Sequence, residues 1–147
     1  GVKTLIIENC KTLNPLSLNS IFYERSNVRT LRLINCDIYS LNNIFPRNNF
    51  NVIDLRNNHL ASAGSKLSSI KMLDSVFLSG NNIPDAKNDL MFFSKSHLAF
   101  VEADSISIID HRALREANKN IHWKFISQPI SQKTEAKKVF GQFVVNS

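Results

Sequence analysis

The sequence predicts an α/β solenoid: a curved parallel sheet of about five short strands, closed at its C-terminal end by a mixed helical cap. Three observations predict it. First, the pattern apolar-x-x-apolar-x-apolar-x-x-Asn/Cys recurs as VKTLIIENC (Val2–Cys10), VRTLRLINC (Val28–Cys36), FNVIDLRNN (Phe50–Asn58) and LDSVFLSGN (Leu73–Asn81). A degraded copy, LAFVEADSI (Leu98–Ile106), ends on isoleucine instead. Second, the copies start 22 to 26 residues apart, a period that belongs to stacked strand-and-return units. Third, the fourth and sixth positions of each copy are apolar while the residues beside them are mixed, the alternation of a short strand with one buried face.

After each strand the chain has to return and cover the core. Leu13, Leu16, Leu18 and Ile21–Phe22 suit that role in the first return, whose stretch from Leu16 to Glu24 has room for a helix or 3₁₀ turns. Ile38, Leu41, Ile44 and Phe45 suit the second, and Leu60, Leu67 and Ile70 the third. Pro46 and Gly64 are expected to interrupt any helix there. Further on, NNIPDAKNDLMFFSK sets Leu90 and Phe93 three apart behind Asp85–Asp89, which predicts a short capping helix. DHRALREAN is expected to be helical from Asp110, with Asn118 or Asn120 as its stop. IHWKFI (Ile121–Ile126) alternates as a last strand would. SQKTEAKKVFGQFVV predicts a second, basic helix that starts near Ser131 and ends at Gly141. The chain therefore divides into repeats over 1–106 and a cap with a basic helical tail over 107–147. No single unit buries its own apolar face, so stability requires the stack.

Over residues 1–106 the sequence resembles the leucine-rich-repeat superfamily, on the four good copies of the pattern and their period. The resemblance implies that the Asn or Cys closing each copy turns inward and bonds backbone of the adjacent turn, forming a ladder. Cys10, Cys36, Asn58 and Asn81 hold those positions. Such a ladder satisfies turn backbone that would otherwise be buried without partners. The resemblance also implies recognition of a protein partner through the concave sheet, without catalysis. Two alternatives follow from it. One is an RNA-linked adaptor similar to the repeat domains of mRNA export receptors and of a spliceosomal subunit. The other is a secreted immune-recognition or adhesion module, since SGNNIPDAKNDLMFFSK weakly resembles the C-terminal flank of insect leucine-rich immune proteins. That flank here lacks the cysteines that usually staple it outside cells.

Side chains that point away from the core are the ones left to act. In stacked parallel strands they form columns: Ile6, Arg32, Asp54, Phe77, Glu102; then Glu8, Ile34, Arg56, Ser79, Asp104; then Thr4, Thr30, Val52, Ser75, Phe100. Arginine and aromatic residues together on an extended surface are the material of interface hot spots. Arg32, Asp54, Arg56, Phe77, Phe100 and Glu102 are therefore the predicted partner contacts. Arg32 and Asp54 are lateral neighbours and have the chemistry to pair with each other.

Other chemistries find little support. His59, His97, His111 and His122 form no HxxxH or HExxH pair, and neither cysteine sits in a CxxC, so no metal is expected. GxSxG, GxGxxG and GxxxxGK[ST] are absent, and neither an enzymatic activity nor a cofactor is expected. Cys10 and Cys36 occupy equivalent positions in adjacent units; packed ladder thiols and a disulfide are both open to them. Charge is uneven. Residues 111–147 carry seven Lys/Arg against Glu116 and Glu135, whereas the rest of the chain is nearly balanced. Within that basic tail, Lys133, Lys137 and Lys138 are candidate contacts for RNA or another anion. No apolar run approaches the ~18 residues of a membrane span, and no signal peptide is visible. The chain opens on a copy of the pattern at Val2, so the compartment and any preceding repeats stay open.

Overall fold

The computed structural model describes residues 2–11, 27–42 and 49–128. They form an α/β fold built on one parallel sheet of six strands in sequence order: β1 (Thr4–Glu8), β2 (Thr30–Ile34), β3 (Val52–Asp54), β4 (Ser75–Phe77), β5 (Phe100–Asp104) and β6 (His122–Ile126). Pairing is in one continuous register. Leu5, Leu31, Ile53, Val76, Val101 and Trp123 are lateral partners in series, and Ile6, Arg32, Asp54, Phe77, Glu102 and Lys124 form the next row. Two of the expected columns, those of Thr4 and Ile6, are thus observed across all five copies, whereas the third is paired only at Glu8 and Ile34 because β3 and β4 end sooner. The sheet gains a sixth strand because Ile121–Ile126 alternates as the others do, so β6 pairs along all five residues of β5.

Alternation sets which face is dry. Leu31, Ile53, Val76 and Val101 have no exposed surface, and Leu33, Leu55 and Leu78 beside them are equally buried. The residue that opens each pattern copy after the first (Val28, Phe50, Leu73, Leu98) is buried as well, and so is Ile121 ahead of β6. At the sheet edge the same positions of β1, Leu5 and Ile7, are only half-buried against the core. On the return side Ile38, Leu41, Leu60, Leu67 and Ile70 are buried as expected. Leu13, Leu16, Leu18, Ile21, Phe22, Ile44, Phe45 and Pro46 lie outside the described residues, as does the expected helix from Ser131 to Gly141.

Among the described residues, three short helices fill the returns. The first, α1 (Gly64–Leu67), corrects the expectation that Gly64 interrupts a helix: here it begins one. The reason lies in α2 (Ala86–Met91), which continues as a 3₁₀ turn over Phe92–Lys95 and buries Leu90 and Phe93. A Cβ at Gly64 would stand 1.8 Å from the Asp89 carbonyl oxygen, so only glycine lets the two backbones meet. In addition, the Asp89 carboxylate accepts from the N–H groups of Ala63 and Gly64 at 3.0–3.2 Å, capping α1 from another element. Gly64→Ala is expected to cost about 1–3 kcal/mol through forced separation of α1 and α2, read as a lower midpoint in urea with an unchanged m-value.

The third helix, α3 (Ile108–Ala117), starts two residues before the expected Asp110 because Ser107 Oγ accepts from Asp110 N at 3.1 Å. It stops at Asn118, whose side chain donates to Ser94 O at 2.9 Å and ties the helix end to the 3₁₀ turn. Among the described residues no helix is long and apolar enough to cross a membrane.

Candidate functional site: the outward face of the sheet

The turns that follow the strands hold the face in register. Asn58 is buried and completes five hydrogen bonds. Its Oδ1 accepts from Cys36 N (2.9 Å) and Ile38 N (3.2 Å), and its Nδ2 donates to Leu33 O, Leu55 O and Arg56 O. Asn81 repeats the arrangement one unit on, accepting from Leu60 N and donating to Leu55 O and Leu78 O. Cys36 makes a weaker version of the same contact, with Sγ 3.3 Å from Ile34 O and 3.5 Å from Ile7 O. Burial pushes its thiol pKa up, against a hydrogen bond from the Cys10 backbone. Cys10 and Cys36 are free thiols.

A feature that pattern reading missed stands one residue earlier. Asn9, Asn35, Asn57 and Gly80 all have positive φ, and all occupy the eighth position of their copy. Asparagine tolerates this left-handed corner better than most residues, and glycine best of all. Gly80 is required there on a second ground, since a Cβ would come within 2.1 Å of Asn57 Oδ1. The recurrence of Asn or Gly at that position was readable in the sequence.

On the outward face Arg32 and Arg56 converge on Asp54. Arg32 Nη1 donates to Oδ2 at 2.9 Å, while Arg56 donates through Nε to Oδ1 (2.9 Å) and through Nη2 to Oδ2 (2.7 Å). The Arg56 backbone N–H adds a contact at 3.2 Å. Both guanidiniums also lie over the Phe77 ring, each with Cζ 5.4 Å from its centroid. Asp54 raises the Arg56 pKa, chiefly by its hydrogen bonds; burial opposes, and the charges of Asp54, Glu102 and Glu8 assist. Beyond Phe77 the aromatic row continues through Phe100 (5.4 Å, tilted) to His122 (5.6 Å, stacked).

Of the six predicted contacts, Arg32, Arg56, Phe77 and Phe100 are therefore half-exposed and adjacent. Asp54 and Glu102 require correction. Asp54 has no exposed surface because two arginine side chains lie across it, and it cannot itself touch a partner. Glu102 is buried too, its Oε1 turned back 3.3 Å from Ser79 N. Both carboxylates hold the face together from beneath. His122 and Lys124 extend the columns and were overlooked, although the alternation of IHWKFI places them there. Lys133, Lys137 and Lys138 lie outside the described residues. Among those described, no group of three or more His, Cys, Asp or Glu side chains is placed to hold a metal ion.

No protein-family model, curated protein or solved structure matches the chain.

Proposed function

We propose that this chain is a leucine-rich-repeat module that recognises a protein partner through the outward face of its sheet and performs no catalysis. The observation that carries the reading is the Arg32–Asp54–Arg56 cluster set over Phe77. Two guanidiniums anchored on one buried carboxylate and laid over one ring have lost most of their freedom before any partner arrives, so binding need not order them. Each keeps N–H groups directed at no acceptor among the described residues, and Phe77 with Phe100 supplies apolar area beside them. Aromatic and arginine anchors of this kind dominate interface energetics.

The test must separate recognition from folding. Reversing the charge at Arg32 and Arg56 is unsuitable, because it would set two carboxylates against the buried one of Asp54. Replacing Arg32→Gln, Arg56→Gln and Asp54→Asn together removes both cations along with the buried carboxylate they neutralise and keeps hydrogen-bonding groups. The wild-type chain, immobilised, is expected to capture a protein identifiable by mass spectrometry. The triple variant should bind that protein at least about tenfold more weakly, with an unaltered circular dichroism spectrum. Equal affinity of the two forms would refute the assignment.

A further inference from the structure

A second concave region lies away from the cluster on the sheet face, between α3 and β6. A cavity of about 630 Å³ opens along α3, and one of about 450 Å³ adjoins it, with His111, Arg115, Lys119 and Ile121 lining both. Arg112 and Arg115 are three residues apart on α3 and share one stripe, and Lys119 follows two residues past the helix end and lines the same cavities. None of the three forms an ion pair among the described residues. Glu116 is the one acidic residue lining either cavity, so the walls carry a net positive charge. Trp123 lines the second cavity and supplies an independent sign. Its indole N–H is buried and finds no acceptor among the described residues, in a residue only 8% exposed. An indole nitrogen is a donor only, and a buried donor without a partner is uncommon in folded proteins.

We propose that this concavity binds a phosphomonoester, with the dianion held by Arg115 and Lys119, Arg112 adding to the field, and the ligand's body resting against Ile121 with an acceptor atom turned to the Trp123 indole N–H. Unpaired cations attract any anion, but their chemistry here suits phosphate best. Guanidinium forks match phosphate oxygens in pairs, and the His111 ring adds an N–H donor. The cavity volume lies in the ~300–1,000 Å³ range of small-molecule sites. Because the cations converge on one concavity instead of forming a track, a single terminal phosphate fits better than a run of phosphodiesters.

Trp123 is the only tryptophan in the chain, so its emission reports on the site directly. Titration with adenosine monophosphate at low salt is expected to give a saturable emission change that adenosine does not, and that weakens as salt is raised. Arg115→Gln with Lys119→Gln should weaken binding at least about tenfold while leaving circular dichroism unchanged, and Arg112→Gln should weaken it less. All three cations are exposed, so these variants are expected to fold. Vesicles of phosphatidylcholine doped with phosphatidic acid test the lipid source of the same group; tighter binding to them than to the nucleotide would place the ligand in a membrane. The proposal is overturned by three outcomes: no response to either probe, unchanged affinity in the double variant, or equal competition from single-stranded RNA lacking a terminal phosphate.

Discussion

Asn58→Ala is expected to destabilise the chain by about 3–5 kcal/mol, close to the largest effect of any single substitution away from the apolar core. Five hydrogen bonds end on this side chain, and four of its partners are backbone groups of Cys36, Ile38, Leu33 and Leu55, whose residues are fully buried. Truncation leaves those groups in a cavity with no water to replace the amide, at roughly 1–3 kcal/mol for each donor or acceptor left unsatisfied, partly relieved by relaxation. Against a total stability of roughly 5–15 kcal/mol, that is a large fraction. Asn81→Ala should cost less, because three bonds end there instead of five. Amide exchange supplies the residue-level check. Cys36 and Ile38 N–H should lose protection in the Asn58 variant, and Leu60 N–H in the Asn81 variant. An Asn58→Ala chain with wild-type stability and protection would mean that the turns do not depend on the ladder.

The second large effect belongs to the charged cluster. Replacing Arg32 and Arg56 together by glutamine leaves the Asp54 carboxylate buried without a cation, expected to cost about 3 kcal/mol at neutral pH. This is the low end of the usual range for breaking a buried pair, because both arginines are about a third exposed and partly screened. Adding Asp54→Asn should restore most of the loss, since the charge that lacked a partner is then gone. A double-mutant cycle built on urea midpoints measures that recovery. If the third substitution made the protein less stable still, the carboxylate would not be the group that the arginines neutralise.

Much of this fold was legible because the repeating pattern specifies both the strand and its face. Once Leu31, Ile53, Val76 and Val101 are aligned as inward positions, the outward columns follow, since a slip of one residue would bury Arg32 and expose Leu31. The inward asparagines were legible for a similar reason: Asn58 and Asn81 stand at fixed distances after the apolar pair. What the pattern could not convey is how neighbours cover one another. Alternation assigns Asp54 and Glu102 to the outward face, and that assignment is correct. Yet Asp54 is buried by arginines on two neighbouring positions, and Glu102 by turning back onto Ser79. Gly64 was misread because glycine, the least helix-favouring residue after proline, ordinarily argues against a helix. Its role depends on the approach of α2, some 25 residues later, which no local window contains. The basic concavity was hidden in the same way, since Trp123 and Arg115 meet only when β6 joins the sheet beside α3.

Side-chain footprinting of a complex with any captured partner tests the proposed recognition face most directly. Phe77 and Phe100 lie on that face, whereas Met72 and Phe92 are exposed outside its columns, at 59% and 55%. Hydroxyl-radical oxidation of the free chain and of the complex should show Phe77 and Phe100 protected on binding, with Met72 and Phe92 unchanged. Protection of Met72 and Phe92 with unaltered oxidation of Phe77 and Phe100 would contradict the account.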